Sequence, residues 1–390
     1  MQVPTLFRAR LCAALFASGL AMASNAWADI TVGVINSATG PAAQIGIPQK
    51  NTATLLPAKI GTQNVRYVIL NDASDPTQAV THLKKLLSEH KVDALIGPSI
   101  TPAALAMLDF VAEAKTPLIT TVGSSNVIEP MDAKRKWVFK TTQNDDLIAE
   151  GLIAHMRSKN IKSVGFIGFS DSYGENWFKV FSGLAGKAGI RIAGSERYGR
   201  TDQSVTGQVL KLMAARPDAV FIAATGAPAV LPQSTLLDKG YKGPIYQTHG
   251  VATNDFIRVG GKAVEGTLMV GGPMLVVGDL PASNPIKAVA QNYIKQYEAK
   301  FGKGSASTFG ANVWDAGLLL QKAVPLALKK AQPGTAEFRS ALRDALEQSR
   351  EVAGTQGVFT MSPQNHNGMD QRARVMMTVK QGRWVAVQAK

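Results

Sequence analysis

The chain has 390 residues, 45% of them hydrophobic and 18% charged, with 42 basic against 28 acidic side chains and a formal net charge of +14. That length accommodates two domains of ordinary size, each with its own apolar core. A single cysteine excludes a disulfide framework, and basic residues scattered along the chain, with no stripe or block, speak against nucleic acid as a partner.

The first 28 residues read as a secretory signal. Arg8 and Arg10 precede the apolar run "LCAALFASGLAMA", and "AWA" ending at Ala28 fits a small-x-small cleavage site. Cleavage after Ala28 would leave 362 residues, remove Cys12 and lower the net charge to +12. A mature chain without cysteine suits an oxidising compartment and has neither thiolate chemistry nor cysteine metal sites. No later segment approaches ~20 uninterrupted apolar residues, so the mature chain is expected to be soluble.

Strand-length apolar runs then alternate with amphipathic stretches. "ITVGVIN" (30–36), "VRYVIL" (65–70), "VDALIG" (92–97) and "TPLIT" (116–120) read as strands, with helices over 75–90 and 101–115 between them. The densest basic run, "AKRKW" (133–137), reads as a solvated turn. The pattern restarts at "SVGFIGF" (163–169), with strands at 191–198, 218–225 and 243–248 and helices near 174–188 and 203–215. Helices near 285–301, 309–330 and 335–348 and a strand pair "RVMMTVK" and "RWVAVQ" complete the chain. Two such series predict an α/β protein of two doubly wound, parallel-sheet lobes. No low-complexity linker separates them, which predicts a hinge of several crossing strands.

Signatures of phosphate-binding loops, zinc proteases, serine hydrolases and EF-hands are missing, and no histidine pair has a tight metal-ligand spacing. The expectation is therefore no catalytic residue, no metal and no cofactor. The residues of interest lie beyond strand ends, where open α/β sheets bind ligands. After "VDALIG", Thr101 is placed as an N-cap with Pro102 at the first helical position, and free amides and the helix dipole there favour a carboxylate. Thr101 could equally serve only its own helix. After "PLITTV" come Gly123 and Ser124. "GFSDSYGEN" presents Tyr173, the strand 218–225 ends at Thr225, and "IYQTHG" presents His249.

Six segments in register carry a resemblance across nearly the whole mature chain: "VGVINSATGPAAQIG", "LNDASDPTQAV", "IGPSITPAAL", "PLITTVGSSN", "SDSYGEN" and "THGVATND". The chain resembles the periplasmic solute-binding proteins of ABC importers, in the branched-chain amino acid (leucine-binding) family of type I fold. The resemblance implies two lobes, 29–142 plus 273–356 and 143–272 plus 357–390, joined by three crossover strands and closing on a solute. It implies a monomer that hands its solute to an inner-membrane ABC permease. It assigns the solute carboxylate to Thr101 and Ser124, and the closing cover to Tyr173.

Two positions depart from the amino-acid-binding pattern. Ile45 replaces a tyrosine after the Gly-Pro turn, and His249 stands where relatives keep an acid for the solute ammonium. A buried ammonium without a counter-charge is costly, and histidine cannot supply one. The departures point toward the branch of the family that takes aromatic acids, including aryl 2-oxo acids, with Ile45, Tyr173 and Phe169 as apolar cover. Asp171, Asp145 or Asp146 could still serve an ammonium, which keeps a hydrophobic amino acid as the alternative solute. A sensor presenting its solute to a membrane receptor, and an enzyme with His249 as general base, are the other readings.

Overall fold

The computed structural model describes residues 29–387; the leader and its cleavage point lie outside the described residues. Two sheets form the frame. The first has the order β2-β3-β1-β4-β5-β6, built from β1 (Ile30–Asn36), β2 (Lys59–Ile60), β3 (Gln63–Asn71), β4 (Ala94–Ile96), β5 (Leu118–Thr120) and β6 (Val138–Lys140). All its pairings are parallel except β2 with β3. The second has the order β15-β14-β11-β10-β9-β7-β8, from β7 (Ser163–Phe169), β8 (Arg191–Tyr198), β9 (Ala219–Ala223), β10 (Ile245–Gln247), β11 (Leu268–Gly271), β14 (Val375–Lys380) and β15 (Arg383–Ala386). Its last two strands run antiparallel and form one edge.

The apolar strand sequences explain their places. Every residue of β1 and of β7 is buried, as expected of central parallel strands covered on both faces. Helices α2 (Pro76–Ser88) and α3 (Thr101–Glu113) cover one face of the first sheet. Helices α1 (Ala43–Ala53), α9 (Pro285–Phe301), α10 (Thr308–Ala327) and α11 (Ala336–Glu347) cover the other. α10 is apolar nearly all round and correspondingly lies almost wholly in the core. α4 (Asp145–Ser158), α5 (Ser172–Lys187), α6 (Thr206–Ala214), α7 (Val230–Asp238) and α8 (Asn254–Gly260) belong to the second lobe.

The chain passes between the lobes three times: after β6 through 141–144, after β11 at 272, and after the short pair β12 (Val352–Ala353) and β13 (Val358–Phe359) through 360–374. The crossings are tied to one another. Gln143 Nε2 donates to Ala373 O at 3.0 Å, and Asn367 Nδ2 donates to Thr142 O at 2.8 Å. Such ties join the three crossings into one connection between the lobes.

Sequence periodicity places most elements within a few residues. β2, β6, β11, β12, β13, α1, α4 and α8 go beyond it. The strand order reverses between β1 and β4 in the first sheet and between β7 and β9 in the second. Ligands of open α/β sheets bind at such switch points, beyond the carboxyl ends of the strands.

Candidate ligand-binding site

The strand ends of both lobes converge on one cavity with about 380 Å³ of space, part of it open to solvent. A larger open groove lies between α10, α11 and the segment 348–353, away from every strand end that carries candidate chemistry.

The first lobe supplies one wall. β4 ends at Gly97, whose φ of +109° and close approach to Ile35 O leave no room for a side chain. The chain then turns through Ser99 and Ile100 into α3. Thr101 is the first residue of that helix; Ile100 holds the N-cap position and no side chain caps it. This corrects the expected N-cap role of Thr101. Its hydroxyl is buried, lines the cavity and has no hydrogen-bond partner. The neighbouring hydroxyls are all engaged: Ser99 Oγ donates to Gln49 Oε1 at 2.5 Å, Thr121 Oγ1 to Pro98 O at 2.9 Å, and Thr142 Oγ1 to Thr121 O at 2.8 Å. Among the described residues, Thr101 is thus the one cavity hydroxyl of this lobe left without a partner.

Several expected residues lie elsewhere. Ser124 is buried outside the cavity and donates its hydroxyl to Asn126 Oδ1 at 2.8 Å. Pro102 also stands outside the cavity wall, as the second residue of α3. Phe169 is fully buried behind Tyr173. Ile45 does line the cavity, and the apolar wall is completed by Ile100, Val122 and Phe309.

The second lobe supplies Tyr173, Arg200, Thr225, His249 and Gly250. Asp171 caps α5 by accepting from Tyr173 N at 2.9 Å, which fixes the tyrosine at the helix start. Thr248 Oγ1 donates to Ala224 O at 2.9 Å, so its 2.9 Å contact with Tyr173 is donated by the phenol. Burial pushes the Tyr173 pKa far up, keeping it neutral.

His249 opens a short 3₁₀ turn capped by Thr248. Its ring lies 5.8 Å from that of Trp177, and Nδ1 is buried without a partner. Burial, with Lys140 adding repulsion, pushes its pKa down to about 3, so the imidazole is neutral at ordinary pH. Behind Gly123 lie a buried lysine and a buried aspartate whose charges attract through space. Lys140 Nζ donates to Gly123 O at 2.5 Å and Gln143 O at 3.2 Å, and Asp145 Oδ2 accepts from Asn176 Nδ2 at 2.7 Å. Burial lowers the lysine pKa and raises that of the aspartate, and their mutual attraction opposes both shifts.

Arg200, Thr121, Thr142, Ser99 and Phe309 go beyond the sequence-based candidates. Arg200 follows the end of β8, so the strand-end rule that marks Tyr173 and Thr225 marks it too. Among the described residues lining the cavity, Arg200 is the only charged one. Asp171 is occupied by its helix cap and by Arg200 Nε at 2.6 Å. Among the described residues, no group of three histidine, cysteine or acidic side chains is placed to hold a metal ion, and no helix is long and apolar enough to cross a membrane.

A family model described as "Periplasmic binding protein" matches residues 29–383. A Leu/Ile/Val-binding protein homolog from Brucella melitensis is 24% identical over 359 residues, covering 90% of this chain and 92% of the relative. An extracellular ligand-binding receptor from Rhodopseudomonas palustris HaA2, known by its crystal structure, is 47% identical with a TM-score of 0.90, covering 92% of this chain and all of that one. A solute-binding protein of an ABC transporter from R. palustris, solved in complex with benzoate, shares the fold at 20% identity and a TM-score of 0.78, covering 92% of this chain and 96% of its own.

Proposed function

The chain belongs to the periplasmic binding protein family, and from that premise we propose that it captures an apolar carboxylic acid, an aromatic or aryl 2-oxo acid, between two closing lobes. It is a transport component of the solute-binding type and not an enzyme. In this reading it works in the periplasm after cleavage behind Ala28, as a monomer, and delivers its solute to an inner-membrane ABC permease.

The observation that carries the acid reading is the charge of the cavity wall. No aspartate or glutamate lines it among the described residues, and its histidine is neutral. A solute ammonium would be desolvated there without a counter-charge, at a cost of several kcal/mol in order of magnitude. A carboxylate meets the free Thr101 hydroxyl and the first amides of α3, where the helix dipole favours negative charge. Ile45, Ile100, Val122, Phe309 and the Tyr173 ring would then enclose the apolar body, with His249 facing a keto or second oxygen.

A hydrophobic amino acid is the second reading, supported by the Leu/Ile/Val-binding relatives and by Asp145, whose Oδ1 is buried without a partner behind Gly123. A thermal-shift screen with leucine, phenylalanine, benzoate, phenylpyruvate and benzoylformate separates the two. A solute at 100 times its Kd stabilises the fold by about 2.7 kcal/mol. Stabilisation by the acids supports the proposal; stabilisation by leucine alone overturns it.

A further inference from the structure

We infer that Arg200 determines specificity by reading a second oxygen acceptor, a phenolic hydroxyl or a second carboxylate, at the end of the solute away from Thr101. The inference rests on the acid reading above and narrows it to acids with two polar ends.

Arg200 is held on three sides. Its Nε donates to Asp171 Oδ2 at 2.6 Å, its Nη1 donates to Thr225 Oγ1 at 3.1 Å, and its guanidinium lies 4.2 Å from the centre of the Phe169 ring. Asp171 is itself fixed, because its other oxygen caps α5. A surface ion pair needs none of this support, whereas a recognition group gains from it, since a pre-oriented fork loses little entropy on binding. The side chain is only 16% exposed, and it contributes to the cavity wall.

Two donors remain. Nη2 makes no hydrogen bond among the described residues, and the Thr225 hydroxyl, which accepts from Nη1, keeps its own proton. Both belong to the second lobe, while the free Thr101 hydroxyl belongs to the first. The cavity therefore offers separate donor sets on its two lobes, with the side chains of Ile45, Ile100, Val122 and Phe309 and the engaged hydroxyls of Ser99, Thr121 and Thr142 also in its wall. A solute with one polar end would leave one set unmatched in a closed cleft. A site built to hydrogen-bond a substrate oxygen rejects analogues that lack it more strongly than an apolar pocket rejects a size change. Asp171 offsets part of the arginine charge, so a neutral phenol and an anion are both accommodated.

The test is calorimetric titration of the full mature protein with benzoate and phenylpyruvate and with their 4-hydroxy and 4-carboxy counterparts. Wild-type protein is expected to bind a 4-hydroxy or 4-carboxy acid at least tenfold tighter than its unsubstituted parent. Arg200→Met should reduce that ratio below threefold, and which counterpart loses more identifies the oxygen being read. Thr225→Val, which keeps the Asp171 pair, should reduce the ratio severalfold and serves if the arginine variant does not fold. A wild-type ratio near one, or a ratio that survives these substitutions, overturns the assignment while leaving the acid reading intact. Binding of leucine with no binding of any of the acids removes both.

Discussion

Gly123 and His249 meet across the cleft: a Cβ on Gly123 would stand 2.8 Å from His249 Nε2 and 3.1 Å from Cε1. Gly123 lies just beyond β5 of the first lobe and His249 just beyond β10 of the second. The glycine here serves close approach, not an unusual φ. His249 has little freedom to give way, being buried against Trp177. Gly123→Ala should therefore relieve the clash by holding the lobes apart. The expected outcome is a Kd raised about tenfold, equivalent to about 1.4 kcal/mol. Small-angle scattering should show less compaction on adding solute, and the melting point of the solute-free protein should hardly move. An unchanged Kd would show that the imidazole swings aside.

His249 should also leave a signature in the pH dependence of stability. Its folded pKa of about 3 lies below the ordinary 6.5, so its neutral form is favoured by folding. The stability is fully present above pH 6.5 and is lost as pH falls toward 3, because only the unfolded chain takes up the proton. Between pH 7 and pH 5 this amounts to about 2 kcal/mol. Asp145, pushed up to about 7, acts in the opposite sense, its contribution being lost as pH rises from the ordinary carboxylate range through 7. Urea unfolding of wild type and His249→Gln at both pH values isolates the histidine. The wild type should lose about 2 kcal/mol more than the variant on acidification. Parallel losses would mean that His249 is solvated in the folded state.

How much of this was legible in the sequence depends on what each residue's neighbours do. "ITVGVIN" and "SVGFIGF" announce their strands because central strands are apolar on both faces. Tyr173, Thr225 and His249 are found by the strand-end rule, since sheet topology alone brings those ends together. β6 hides because it is three residues long and ends in Lys140, a residue that normally marks the surface. Its burial depends on carbonyls at 123 and 143 and on acids met only after folding. α1 is concealed by Gly46 and Pro48 and by an N-terminus without a capping side chain. α4 does carry helical spacing at Ile148, Leu152 and Met156. Arg200 obeys the strand-end rule, but a basic residue after an edge strand looks solvated until Asp171, Thr225 and Phe169 are seen around it.

Lys140 supports a prediction of its own. It is fully buried and ties Gly123, at the cavity wall, to Gln143, in the first crossing. Lys140→Met keeps the chain volume but leaves two carbonyls without a donor and Asp145 without a nearby cation. Leaving a buried acceptor without its donor costs about 1–3 kcal/mol. The stability loss should be about 3 kcal/mol, mostly from the two carbonyls, because protonation of Asp145 can relieve its charge. Denaturant unfolding measures it, and solute affinity should fall as well, since the strand end bearing Gly123 loses its anchor. A loss below about 1 kcal/mol would show that the lysine is replaceable by apolar packing.

Thr101→Val separates two roles that its position at a helix start leaves superimposed. A threonine that caps its helix would lose about 1 kcal/mol of stability on replacement. Here Ile100 holds the cap position, and the Thr101 hydroxyl is buried without a partner. Valine is nearly isosteric and removes an unsatisfied polar atom, so the solute-free protein should be as stable as wild type or slightly more stable. Solute affinity should move the other way. A hydrogen bond to a charged group contributes about 1.5–3 kcal/mol, so Kd should rise roughly 10- to 150-fold. Thermal melting and calorimetric titration of the same preparation read both effects. Lost stability with unchanged affinity would return Thr101 to a structural role and leave the carboxylate to the amides of α3 alone.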